Sequence, residues 1–359
     1  MMGCRACGDS ALVRVLDLGE VPAAKHFPLA TDPVRADEAS HPLAMDLCQA
    51  CGLAQLADDD TVADEPRAME PQALQDQAEA AIDQVAAAGW LRGNTVLEFG
   101  SPHGGTWIQL LTERGFTTVT SQADVVLDSF GIMHEPDQRS AFAQRARTTA
   151  PDGVLLLQYH SIATIVKKGQ WNSLRHGHFA YYSMTALIRL LEAAGMRTVT
   201  AWEFDLYGGT VLLAAVHGDA GQADDSVQRI LATEDALGIT DSAVVGGLQR
   251  SADQHIESLL SWLKEERAAG RTVLAYGAAS RAVAVFSRAG IDAELVAAVA
   301  DASPVKQGRR MPATDIPIVS PDELLAAKPD RVLLTLPDLL PEVSVRFPEL
   351  DGRWKVDGQ

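Results

Sequence analysis

The chain has 359 residues, 47% hydrophobic and 22% charged, with a formal net charge of −18. These values suit two or three packed domains and exclude a nucleic-acid partner, because no basic stripe is present to neutralise phosphates. No run approaches the ~18 apolar residues of a membrane span, and the opening MMGCRACGDS lacks the basic and apolar regions of a secretory signal, so a cytoplasmic protein without a membrane partner is expected.

All four cysteines fall early, as Cys4-x-x-Cys7 and Cys48-x-x-Cys51, each pair followed by a glycine (Gly8, Gly52). Two CxxC turns supply four thiolates for a tetrahedral structural zinc. Disulfides are the rival reading, disfavoured by a reducing compartment. Four thiolates leave no open ligand position, so the metal folds a module rather than performing chemistry.

Residues 57–72 read as an acidic linker and 72–88 as a helix. Thr95-Val-Leu-Glu-Phe-Gly100 is an apolar strand, 101–106 a glycine turn and 107–114 a helix. This is the opening unit of a doubly wound sheet. Further strands are expected over 123–133, 154–159, 197–204 and 210–216, with helices over 138–149 and from Ser183 to Ala194. Residues 247–269 form an amphipathic helix. A second strand–glycine–helix unit starts at Arg271, with strands at 295–300 and 331–335. The expected fold is α/β: a zinc-binding module (1–62), a methyltransferase-like Rossmann domain (63–217) and a C-terminal Rossmann-like domain with a helical linker (218–359).

In this order the pieces resemble the sugar C-methyltransferase family of deoxysugar biosynthesis. The resemblance rests on Cys4-Arg-Ala-Cys7, Leu18-Gly19-Glu-Val-Pro22, Cys48-Gln-Ala-Cys51, His134-Glu-Pro-Asp137, His176-Gly-His178-Phe-Ala-Tyr-Tyr-Ser183, Gly208-Gly209-Thr210, Tyr276-Gly-Ala278, and Asp301 with Lys306-Gln-Gly308. It implies a nucleotide-linked 4-keto-hexose substrate methylated at C3, with His178 as the base and His134 as its partner. His176 and Tyr181 are further catalytic candidates. An imidazole suits removal of a proton beside a ketone at neutral pH. Arg175, Gly208, Gly209, Tyr276, Gly277, Ala278, Ser280, Arg281 and Lys306 are the implied substrate contacts, the diphosphate lying on the turn before Ser280. One glycine in that turn, rather than three, argues against NAD.

Glu98, Gly100 and Gly104 occupy the strand end where the family holds S-adenosylmethionine (SAM). Four departures then shape the expectation. The stretch 116–122 passes almost directly into Ala123-Asp-Val-Val, with Thr120 or Ser121 where an acid is wanted. The segment Arg67–Pro71 has no tyrosine. Arg175 and Gly177 replace the tyrosine and glutamate before the base, and Leu336-Pro-Asp338 replaces Pro-Trp-Asn. On these grounds the site of Glu98, Gly100 and Gly104 is expected to be vestigial, SAM is expected not to bind, and a SAM-independent epimerase or isomerase acting at C3 is expected. A SAM-dependent C-methyltransferase and an inactive partner subunit stand as alternatives.

Overall fold

A computed structural model describes residues 3–22, 27–35, 38, 40–57, 72–101, 105–218 and 221–358. Among the described residues three sheets form. The first is antiparallel, in the order β1 (Leu12–Pro22), β2 (Ser40–Cys48), β3 (Ala54–Leu56), then Ala180–Tyr181 from the middle of the chain. The metal module therefore borrows its fourth strand from the next domain.

The linker to that domain lies outside the described residues, as do Gly104 and Arg67–Pro71. Helix α1 (Gln72–Ala87) buries Ala78, Ala81, Ile82 and Val85 against the second sheet. That sheet comprises β4 (Thr95–Phe99), β5 (Thr117–Thr118), β6 (Ala123–Ser129), β7 (Thr149–His160), β9 (Met196–Phe204) and β10 (Thr210–His217), the borrowed strand being β8. Its order is β5-β4-β6-β7-β10-β9. β4 to β7 are parallel, and β10 runs antiparallel to both β7 and β9. The apolar run Val154–Tyr159 is buried throughout because helices cover both faces of this sheet. The short helix α2 (Ile108–Thr112) links β4 to β5. Helices α3 (Gln138–Thr148), α4 (Ile162–Lys167) and α5 (Met184–Ala193) follow. Ser183 caps α5 by accepting from the Ala186 N–H at 3.0 Å, and Gly195, at φ 78°, turns the chain out of it.

The expected strand over 123–133 stops at Ser129. Asp128 then accepts the N–H groups of Gly131 and Ile132 at 2.8 and 2.9 Å, which starts a 3-10 turn over Ile132–His134. Helix α6 (Asp225–Leu237) packs Val227 and Ile230 into the core of the central sheet. Helices α7 (Ser242–Val245) and α8 (Gly247–Ala268) lead to the third sheet. That sheet is all parallel, β13-β12-β11-β14-β15, from β11 (Val273–Tyr276), β12 (Val299–Ala300), β13 (Ile318–Val319), β14 (Arg331–Leu334) and β15 (Trp354–Val356). The strand expected over 295–300 shrinks to two residues. Helices α9 (Ser280–Ala289), α10 (Pro321–Ala327) and α11 (Leu340–Arg346) flank it. The strand order reverses between β11 and β14, which places a crevice at their carboxyl ends.

Candidate active site and metal centre

The four cysteine sulfurs lie within 4.8 Å of one another. Cys4 and Cys51 are 3.5 Å apart and Cys7 and Cys48 are 3.6 Å apart. Both gaps are far too long for a disulfide. They approach the roughly 3.8 Å edge of a tetrahedron with 2.3 Å zinc–sulfur bonds, so the thiol set fits zinc. The hydrogen bond from Cys51 draws the Cys4 thiol down to about 5, while the same contact pushes Cys51 up. Arg139 seals the knuckle by donating to the Ala6 and Cys7 carbonyls.

Arg5, between two of the cysteines, reaches outward. It donates to the Leu56 and Pro136 carbonyls and lies 4.7 Å from the centre of the Phe179 ring. Phe179 adjoins His178, and its N–H donates to the Met133 carbonyl beside His134. The two histidine motifs are thereby stitched together. His134 Nδ1 lies 2.9 Å from the Gly177 carbonyl. A carbonyl only accepts, so Nδ1 carries the hydrogen and Nε2 of the neutral ring carries the lone pair. The His134 and His178 ring centres are 4.5 Å apart and near perpendicular, and His178 is 3% exposed.

Both rings open on one cavity. Glu98, Gly100, Ser101, Trp107 and Ser129 line it together with His160, Arg175, Tyr181, Tyr207 and Arg281. The Glu98 carboxylate accepts from the Trp107 N–H and the Thr106 hydroxyl, fixing the loop after β4. Among the described residues, nothing lies within 4 Å of where a Cβ on Gly100 would stand. Phe130 and Tyr207 both adopt left-handed backbone, φ 58° and 55°, and their rings meet edge to face across the cavity. Strain of this kind in bulky residues concentrates at functional sites.

Several expected residues stand elsewhere. His176 turns to the backbone of β2, with Nε2 3.3 Å from the His41 and Pro42 carbonyls. The Tyr181 hydroxyl lines the cavity but is engaged by the Arg175 N–H and the Ser173 carbonyl, so it shapes the Arg175–His178 turn. A Cβ on Gly208 would strike Gln170, and one on Gly209 would strike Thr164, so both glycines serve a close turn, and Gly208 also lines a second cavity. Tyr276 packs against Phe347 and Trp354 in the third sheet. At Gly277, φ 101°, a Cβ would lie 2.6 Å from the Thr335 hydroxyl. The Ala278 N–H is taken by Asp301, and its carbonyl by the Lys306 ammonium. That leaves Lys306 buried, its ammonium 5.1 Å from the centre of the Phe27 ring. Ser280 accepts from Arg175 and Arg281 lines the cavity, so these two of the turn's residues join the site. Gln158 and Tyr207 were not among the expected contacts; Gln158 lies in the buried run of β7, which the strand pattern marks as core rather than as site.

Three family models match consecutive stretches of the chain: a zinc binding domain over residues 4–63, a methyltransferase domain over 72–201 and the C-methyltransferase C-terminal domain over 205–349. The C-methyltransferase NovU of Streptomyces niveus is 24% identical, across 98% of this chain and 94% of its own. The chain thus resembles C-methyltransferases from end to end, domain by domain.

Solved structures with likeness include the magnesium protoporphyrin IX methyltransferase of Synechocystis PCC 6803 with bound SAH. It is 12% identical over 40% of this chain and 84% of its own, with a TM-score of 0.30. The Burkholderia thailandensis 1,6-didemethyltoxoflavin-N1-methyltransferase is 14% identical over 46% and 96%, with a TM-score of 0.30.

These matches correct the expected epimerase. The methyltransferase domain matches across the very region whose shortening suggested loss of SAM, and NovU matches end to end as a C-methyltransferase. The shortening is real but peripheral. β5 is a two-residue edge strand, whereas Glu98 and Gly100 sit at the end of β4, inside the sheet. No described helix is long and apolar enough to cross a membrane.

Proposed function

We propose that this enzyme methylates the carbon beside the ketone of a nucleotide-linked keto-sugar, with SAM as the donor. One observation carries the reading: the His134–His178 pair shares a single cavity with the Glu98–Gly100 strand end. The residues there fit SAM. Gly100 leaves room for close backbone approach, Ser101 and Ser129 bring hydroxyls, and Phe99, Phe130, Trp107 and Leu74 bring apolar walls. When bound, SAM supplies an electrophilic methyl group.

His178 takes the proton from the carbon beside the ketone, a step worth about 10²–10⁴ in rate for a positioned base. His134, fixed through Nδ1, packs its ring edge to face against that of His178. Arg175 lines the same cavity and carries donors of the kind that a developing enolate oxygen requires.

A second cavity of about 970 Å³ adjoins the carboxyl ends of β14 and β15. It is lined by Trp262, Lys168, Lys355, Asp357 and, shared with the first cavity, Arg281. Its size and its mixture of cations and indole suit a nucleotide, with the sugar passing Arg281 into the first cavity. The test is incubation with isotope-labelled SAM and a panel of thymidine-diphosphate 4-keto-6-deoxyhexoses. Labelled methyl on the sugar carbon beside the ketone is expected. No transfer to any keto-sugar, by protein that binds SAM, ends the proposal.

A further inference from the structure

A hydrogen-bonded chain of three side chains stands behind the turn that carries the proposed base. Trp171 opens the 3-10 turn Trp171–Ser173, between α4 and β8, and is 1% exposed. Its indole N–H donates to Nδ1 of His255, on α8, at 3.0 Å. His255 Nε2 lies 2.7 Å from a carboxylate oxygen of Asp357, a buried residue just after β15. The two links span 84 and 102 positions of sequence, so three separate parts of the chain meet here. The direction of each bond is fixed. An indole N–H only donates, so Nδ1 of His255 carries the lone pair, Nε2 carries the hydrogen and Asp357 accepts it.

The chain reaches from one cavity to the other. Trp171, His255 and Asp357 line the second cavity, whereas Ser173, Arg175, His178 and Tyr181 line the first. Backbone and side-chain bonds continue the path between them. The Trp171 carbonyl accepts the Leu174 N–H at 3.1 Å. The Ser173 carbonyl accepts the Tyr181 hydroxyl at 3.3 Å, and that hydroxyl accepts the Arg175 N–H at 3.0 Å. The Arg175 carbonyl accepts the His178 N–H at 3.3 Å. A buried tryptophan needs an acceptor for its N–H, and a single backbone carbonyl would serve. Here the acceptor is an imidazole that a carboxylate orients in turn. A satisfied buried network of this kind specifies one arrangement of the groups it joins.

We propose that His255 and Asp357 are positioning residues for the reaction: through Trp171 they set the 171–178 turn and with it the placement of Arg175 and His178. The inference rests on the reading above in taking that turn as catalytic. Placement matters steeply, since a shift of about 1 Å at a reacting group costs roughly 10²-fold in rate.

The test compares wild type, Trp171→Phe, His255→Leu and His255→Gln as full chains. Trp171→Phe keeps an aromatic ring and loses the N–H. His255→Leu removes both ring nitrogens. The His255→Gln amide can still accept from the indole and donate to Asp357, as the imidazole does. Hydrogen–deuterium exchange of the 172–178 amides reads the turn without any turnover. Trp171→Phe and His255→Leu are expected to speed that exchange at least about tenfold while the strands of the central sheet keep their protection. With labelled SAM and saturating thymidine-diphosphate 4-keto-6-deoxyglucose, kcat is expected to fall about 10- to 100-fold in both, SAM affinity by calorimetry staying within about twofold. His255→Gln is expected to recover most of both losses. Three results would overturn the proposal: unchanged 172–178 exchange in Trp171→Phe, a His255→Gln protein as impaired as His255→Leu, or exchange that rises equally across the whole chain. Wild type whose turn depends on the relay but which transfers no methyl group counts against methyl transfer alone.

Discussion

Removal of Arg145 tests how the His134 turn is held. Arg145 Nε lies 2.9 Å from Asp128 Oδ2, with side chains 2% and 0% exposed, and its guanidinium covers the Phe99 ring at 4.0 Å. Arg145→Met fills similar space but strands a carboxylate where no water reaches. Breaking one side of such a pair costs about 3–5 kcal/mol. The Gly131 and Ile132 N–H groups still serve Asp128, which favours the lower end of that range.

Burial already pushes the Asp128 carboxyl up despite Arg145, and the substitution pushes it further. A carboxyl raised in the folded state is tolerated while protonated and loses stability as pH rises through its folded value. The penalty of Arg145→Met should therefore grow from pH 5 to pH 8. Adding Asp128→Asn removes the orphan charge and should recover at least about 2 kcal/mol. Urea unfolding of the four proteins at both pH values is the assay. A cost below about 1 kcal/mol, or no rescue by the second change, would refute the argument.

His178→Ala is expected to lower methyl transfer about 10²–10⁴-fold with SAM affinity unchanged; an equal loss of SAM affinity would reassign the ring to the donor site. Cys48→Ser, or a strong chelator, should release one zinc per chain, measured by metal analysis, and lower the melting temperature together with activity. The His160 imidazole, held at about 3 against an ordinary 6.5, resists protonation that the unfolded chain accepts. Stability should fall as pH drops below about 6.5, by ~2 kcal/mol at pH 5. His160→Gln should flatten that fall in denaturant titrations, and an unchanged slope would place the acid sensitivity elsewhere.

Much of the architecture could be read before any coordinates. The cysteine spacing announced the metal module, and the apolar runs at Thr95, Val154 and Arg331 announced the parallel strands, because burial on both faces leaves an unbroken hydrophobic signature. The pairing of His134 with His178 followed from their motifs. The borrowed strand Ala180–Tyr181 did not, since two residues carry no periodicity. The contact of the Lys306 ammonium with the Ala278 carbonyl was not legible, since nothing in the spacing links the two. The SAM-independent reading overweighted a sheet edge. A shortened edge strand is conspicuous in sequence, yet Glu98 stands on the neighbouring, inner strand.

Strand β8 has a consequence for how the enzyme comes to life. Residues 180 and 181 align with Gln55 and Ala54 across more than a hundred positions of chain, and His178 is the residue that leads into that alignment. The first fifty residues are thus not a detachable handle. The proposed base leads into a strand that the cysteine-bearing module completes, so moving this half of the chain onto another scaffold requires bringing the cysteine knuckles along.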